Sequence, residues 1–249
     1  MTEHLMETTT ITDIDSLLGV WAHPDDEAYL SSALMASVRR ASGRVAVATA
    51  TRGEHGTPDP DTWPPEKLAG IRAQELLESL GLIGVDDHQW LGHADGSLTD
   101  VPFEAGVAQV VALIERTRPA VIVTFGPDGM TGHPDHQTVS AWVTEAWRRT
   151  GRSGALWYAT TTPEFQAEWE DLHRQLGILI DEEVAPVTQA SELALELHCD
   201  EGLLDLKYQV LRAHASQTAV LEEMLGTELF RRWWATEFFV AATPGTDAG

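Results

Sequence analysis

Residues 16–27 read Ser16-Leu17-Leu18-Gly19-Val20-Trp21-Ala22-His23-Pro24-Asp25-Asp26-Glu27. The first seven are almost wholly apolar and are followed at once by polar residues, the pattern of a short strand buried on both faces. Pro24 has no amide proton for a ladder but suits a first helical turn, so the strand hands over to a helix, expected over 26–41 with Gly43 past its end. A strand feeding directly into a helix is half of a parallel crossover unit.

The same alternation continues outward. A valine-rich strand is expected over 44–51, then a loop over 52–64 carrying Gly53, Gly56, Pro58, Pro60 and Pro64, then a helix over 65–80 with Gly81 as its stop. A weaker strand at 88–91, a helix at 103–117, a strand at 119–125, a loop at 126–134, a helix at about 135–149 and a strand at 155–160 follow. Beyond them come an acidic helical stretch at 164–176, a strand near 193–198, a helix at 201–216 and an aromatic-rich tail at 230–240. This order predicts an α/β fold: a doubly wound, Rossmann-like, mostly parallel sheet with C-terminal additions. We expect one domain over 16–249, with its core at about 16–160 and an elaboration at about 161–249, preceded by an acidic tail at 1–15.

Composition narrows the function. The 249 residues are ample for a core without staples. Thirty-nine acidic against 16 basic residues give a net charge of −23, which repels phosphate backbones and anionic lipid, so neither nucleic acid nor membrane is an expected partner. No apolar run approaches a membrane span, and the N-terminus lacks the basic and apolar regions of a signal peptide, so a cytoplasmic location is expected. The single cysteine, Cys199, excludes an internal disulfide and a cysteine-rich zinc knuckle, and reads as a small buried hydrophobe. Any metal site must be built from His, Asp and Glu. Phe230, Trp233, Trp234, Phe238 and Phe239 pack in the core or at a subunit interface, which leaves a homo-oligomer open.

Two loops echo one another. After the first strand stands His23-Pro24-Asp25-Asp26; after the strand at 119–125 stands Gly132-His133-Pro134-Asp135-His136. Ligands in doubly wound sheets gather beyond the carboxyl ends of the strands, where the strand order reverses, and two loops flanking that point would face each other. Helix-start chemistry accounts for the prolines and carboxylates but not for histidine, and three of the ten histidines lie here. Zinc suits such a set: it takes imidazole nitrogen and carboxylate oxygen at about 2.0 Å, and catalytic sites keep three protein ligands and an open position. Asp25 and Asp26 would project roughly 100° apart, so one can hold metal while its neighbour faces water. A nicotinamide-binding protein would need a glycine-rich turn where His-Pro-Asp-Asp stands.

Together the two motifs resemble the signature of the zinc-dependent de-N-acetylases of the PIG-L/LmbE-like family. The likeness extends to Thr51-Arg52-Gly53-Glu54, to Ile71-Arg72 with Glu75, to Gly92 through Asp95, and to Lys207 with His214-Ala215-Ser216-Gln217, spanning about residues 16–217. It implies that His23, Asp26 and His136 hold Zn2+, or another divalent ion such as Fe2+. It further implies that Asp25 is the general base and that His133 polarises the carbonyl or protonates the leaving nitrogen. Asp135 would orient an imidazole behind the ligands, and Arg72 and Asp95 would meet substrate. From the residues themselves, Glu54 orients a metal ligand or caps its loop, Arg72 alternatively pairs with Glu75, and Asp95 alternatively closes its own turn. His55, His88 and His93 read as solvated, and His214 as structural or as part of the site rim. Some members carry a tyrosine two residues before the histidine matched by His133; here it is Thr131. The expected activity is hydrolysis of an N-acyl group, acetyl in most members, from an amino sugar or sugar conjugate. The alternatives are an amidase of a larger thiol or sugar conjugate and a non-catalytic metal-binding module.

Overall fold

In the computed structural model, which describes residues 11–178 and 186–243, the opening run forms β1 (Ser16–Trp21), buried at all six positions. Residues 1–10 of the expected acidic tail, and 179–185 and 244–249 of the expected elaboration, lie outside the described residues. The parallel strands that follow are β2 (Arg44–Thr49), β3 (Asp87–Trp90), β4 (Val121–Phe125) and β5 (Ala155–Ala159). β4 and most of β1, β2 and β5 are apolar on both faces and buried, whereas β3, Asp-His-Gln-Trp, alternates between exposed and half-buried as an edge strand does. With β6 (Leu193–His198) and β7 (Thr236–Ala241) they make one sheet of order β3-β2-β1-β4-β5-β7-β6.

The position of β1 decides everything downstream. It pairs in parallel with β2 on one side and with β4 on the other, Leu17 opposite Val121 and Gly19 opposite Val123. The chain leaves β1 toward β2 and β3, then returns to β4, so the order reverses between β1 and β4. Their carboxyl ends carry the two histidine motifs, which therefore face each other. On the flanks, α4 (Phe103–Thr117) packs closely on α6 (Pro134–Arg149), since a Cβ on Gly106 would lie 2.2 Å from the Trp142 indole.

Four local expectations are corrected. The helix expected over 26–41 is two, α1 (Asp26–Leu30) and α2 (Ser32–Arg40), broken at Ser31. The break has a tertiary cause: Lys207 Nζ donates to the Tyr29 carbonyl at 2.9 Å, and the Glu237 carboxylate accepts the amides of Ala33 and Leu34 at 2.8 and 2.9 Å. Lys207 and Glu237 pair at 2.6 Å, fully buried. Gly81 does not stop α3 (Pro65–Leu82); the chain reverses at Gly84, φ +72°. The helix expected to reach 216 ends at Ala213, and His214 separates α8 (Glu201–Ala213) from α9 (Ala215–Leu225). The aromatic tail becomes α10 (Thr227–Trp233) and β7, which lies antiparallel between β5 and β6. Phe230, Trp233, Phe238 and Phe239 are buried there, so the core reading holds for them. The remaining elements are the short α5 (Gly129–Gly132) and α7 (Pro163–Leu176). Among the described residues no helix is long and apolar enough to cross a membrane.

Candidate metal centre

The two loops bring three expected ligands to one spot. His23 Nδ1 lies 3.1 Å from His136 Nε2, and Asp26 offers one oxygen 3.7 Å from His23 Nδ1 and the other 3.5 Å from His136 Nε2. Atoms that share a tetrahedral ion at about 2.0–2.1 Å stand about 3.3 Å from one another; the two imidazole nitrogens lie near that spacing, and each has one Asp26 oxygen a few tenths of an ångström beyond it. All three residues are buried.

The other nitrogen of each imidazole is already committed. His23 Nε2 sits 3.0 Å from Asp95 Oδ1 and 3.3 Å from Asp135 Oδ2, and His136 Nδ1 sits 2.9 Å from the Gly129 carbonyl. With those nitrogens donating, the lone pairs of His23 Nδ1 and His136 Nε2 face the shared spot, the tautomers a metal requires. The carboxylates behind His23 are themselves anchored. Asp135 accepts the amides of Gly96 (2.8 Å) and Leu98 (3.1 Å), Asp95 accepts the His55 amide (2.8 Å), and Glu54 Oε1 accepts the Asp95 amide (2.9 Å). Behind His136, Phe125 stacks on the ring at 4.1 Å and 8°, and Trp21 meets Phe125 edge-on.

Electrostatics favour positive charge at this point. Burial by itself would lower the His23 pKa, but hydrogen bonds to Asp135 and Asp95 and the charge of Asp26 hold it at about 10. The carboxylates that retain that proton on Nδ1 would retain a cation in its place. His136 moves the opposite way: burial first, then the charges of His23 and His133, push it well below the usual histidine value. Burial raises Asp26, with His23 opposing; for Asp95 and Asp135 burial is outweighed by bonds to His23 and backbone amides, and both fall. The residues present thus fit a divalent cation held by His23, Asp26 and His136.

Asp25 and His133 flank the cluster. Asp25 has φ +103°, a left-handed conformation strained for a residue with a Cβ. Burial raises its carboxyl to about 6, with the Arg72 guanidinium, 3.2 Å away, opposing. His133 caps α6: its Nδ1 accepts the Asp135 amide at 3.1 Å, which places the proton of the neutral ring on Nε2. It is half-buried, and one nitrogen each of His23, His133 and His136 lie within 4.8 Å of one another.

Other expected residues land close by. Arg72 is buried, donating to the carbonyls of Gly53 (2.8 Å) and Pro24 (2.5 Å), with its Nε unpartnered. A Cβ on Gly53 would lie 2.2 Å from that guanidinium. Glu75, its expected alternative partner, instead accepts the amide and hydroxyl of Ser216. His88 bonds Thr49 and His93 bonds Gln109, outside the cluster. Cys199 is half-buried with its thiol pushed up by burial to about 11, no nucleophile. Glu27 was given no site role by its sequence and His214 a structural or rim role; both are fully buried and paired at 2.9 Å next to Asp25. The run of three carboxylates Asp25-Asp26-Glu27 was the available signal, since a third at a buried helix start needs a partner.

Comparison with known proteins shows which family the chain is similar to. The family profile described as "PIG-L: GlcNAc-PI de-N-acetylase" matches residues 18–147. A protein of Saccharomonospora viridis named 1D-myo-inositol 2-acetamido-2-deoxy-alpha-D-glucopyranoside deacetylase is 29% identical over 91% of this chain and 94% of its own length. A protein of the same name from Mycolicibacterium vanbaalenii is 30% identical over 82% of this chain and 81% of its own. Among solved structures, the A40926 pseudoaglycone deacetylase Dbv21 superposes with a TM-score of 0.67 at 18% identity, covering 91% of this chain and 96% of that one. GalB of Pseudomonas putida, a 4-carboxy-2-hydroxymuconate hydratase, superposes at 0.58 and 14% identity over 94% and 99%. At such identities the superpositions establish the fold alone.

Proposed function

The chain belongs to the PIG-L de-N-acetylase family, and on that footing we propose that it is a metal-dependent hydrolase removing an N-acyl group, acetyl first, from an amino sugar or sugar conjugate. The observation that carries this is the approach of His23 Nδ1 and His136 Nε2 to 3.1 Å, with the two oxygens of Asp26 3.7 Å from the first and 3.5 Å from the second and the carboxylate of Asp25 beside them. A cation held by those three, Zn2+ or another divalent ion such as Fe2+, supplies Lewis acidity toward water and an amide carbonyl.

The chain's own groups do the proton chemistry. Asp25, its carboxyl raised toward neutrality, takes the proton of the attacking water, as a base matched to its operating pH should. His133, with Nδ1 occupied by the Asp135 amide, presents Nε2–H to the acyl oxygen, where negative charge develops, or to the departing nitrogen. Asp95 and Asp135 hold His23, and Glu54 holds Asp95. For Arg72 and Asp95 the placement supports positioning of Asp25 and His23 ahead of direct contact with substrate.

The test is to purify the protein without chelator, measure bound metal, and screen N-acetyl amino sugars and their conjugates for released amine. Metal near one per chain with amine release supports the reading. Metal at that level with no hydrolysis of any amide points instead to a binding module.

A further inference from the structure

We infer that Glu27 and His214 are a positioning pair that holds the backbone of Asp25 in the conformation its role as base requires. The inference rests on the reading of Asp25 given above. It starts from the count of donors on one carboxylate. Glu27 Oε1 accepts from His214 Nε2 at 2.9 Å and from Ser79 Oγ at 3.2 Å, and Oε2 accepts the Asp25 amide at 3.1 Å. Three donors occupy both oxygens of a side chain with no solvent exposure. Such a carboxylate is costly to bury unless each bond does something, and capping does not explain it, because its acceptor serves a single amide inside a strained turn.

That amide belongs to the Pro24–Asp25 peptide, which is clamped at both polar ends. Arg72 Nη2 donates to the Pro24 carbonyl while Glu27 accepts the Asp25 N–H. On the far side the Asp25 carbonyl accepts the amides of Ala28 and Tyr29 at 2.9 and 3.0 Å. A non-glycine residue at φ +103° is strained and persists only when its surroundings over-determine it. Glu27 is the part of those surroundings that reads out a distant segment: His214 lies 187 residues later, at the junction of α8 and α9. The pair therefore ties the base to the C-terminal third of the chain.

The experiment compares Glu27→Gln, His214→Leu and His214→Gln. Glutamine at 27 keeps the shape but offers one acceptor oxygen where three donors converge, whereas glutamine at 214 still donates to Glu27. Glu27→Gln and His214→Leu are expected to lose about 10–100-fold in kcat at unchanged bound metal and nearly unchanged KM, with His214→Gln restoring most of it. Hydrogen exchange at the Asp25 amide, read by NMR, should quicken about tenfold in Glu27→Gln. Wild-type kcat and unchanged exchange in Glu27→Gln overturn the inference. So does a joint loss of metal, KM and thermal stability that His214→Gln fails to restore. If His214→Leu does not fold, Glu27→Gln decides by itself. If the wild-type protein hydrolyses no amide, the proposed function fails, and exchange at Asp25 still decides whether the pair holds its backbone.

Discussion

The loops after β1 and β4 spell nearly the same motif and use it differently. In the first, positions one and four, His23 and Asp26, turn toward the metal spot, and position three, Asp25, is forced to φ +103°. In the second, position one, His133, caps a regular helix with φ −67°, position three, Asp135, reaches across to His23, and only position four, His136, turns inward. The first motif is strained at Asp25 and braced from outside by Arg72 and Glu27; the second motif forms an ordinary helix start, the left-handed residue of its loop being Met130 at φ +64°, ahead of the motif. The lesson is that the same residue types at the same spacing acquire roles from what packs behind them.

The largest effect should separate the two histidines of the second loop. His136→Ala is expected to abolish bound metal and turnover together. His133→Ala should retain metal and lose about 10²–10⁴-fold in kcat, the range for a lost proton-transfer group. Metal analysis beside amine release reads both. Equal loss of metal in the two variants would make His133 a ligand and merge their roles. Next come the third positions. Asp25→Asn should keep metal and lose about 10²–10⁴-fold, whereas Asp135→Asn, which loosens His23 and the loop amides of Gly96 and Leu98, should lose about 10–100-fold with weaker metal retention. A reversal of that order would reverse the assignment of base and orienter.

The supports behind the loops give a smaller effect, on stability. Phe125 is fully buried between Trp21 and His136. Phe125→Ala should lower the unfolding free energy by about 3–5 kcal/mol and weaken metal binding through His136, measured by thermal melts with and without added metal. A loss of stability that leaves metal affinity untouched would show that the ring only fills space.

These differences mark the limit of what one sequence shows. The strands were legible because Ser16–Trp21 and Val121–Phe125 are buried on both faces and are apolar apart from Ser16 and Thr124. The pairing of the two histidine loops was legible because prolines and carboxylates alone account for helix starts, although His133 turns out to cap α6 after all, and which of these residues would hold a cation came only from the resemblance. The break at Ser31 was not, since it is made by Lys207 and Glu237, roughly two hundred residues away, while local propensity favours one long helix. β7 was hidden because Thr236–Ala241 pairs antiparallel with β5 and β6 by a register that no local pattern encodes. The role of Glu27 depends on His214, 187 residues later. Contacts closed over such separations leave only a buried charge as their trace.

The smallest effect tests whether the pH response of the fold comes from outside both loops. His88, on edge strand β3, is held near pKa 4, from an ordinary 6.5, by burial first and by the nearby Arg52 charge, with Glu27 and Asp87 opposing. Its Nε2 lies 3.1 Å from Thr49 Oγ1. A histidine depressed in the folded state takes up its proton more readily when unfolded. Between pH 6.5 and about 4 the unfolded chain therefore binds more protons, and stability falls as pH falls through that window. His88→Gln keeps a hydrogen-bonding partner for Thr49 without titrating, so its melting temperature should fall less steeply between pH 6.5 and 4 than that of the wild type. Each kcal/mol recovered raises Tm by about 2–4 °C for a chain of this length. Its kcat at neutral pH should be unchanged, because His88 touches neither loop. An identical slope in the variant would move the acid sensitivity of the fold away from the edge of the sheet and back to the metal cluster.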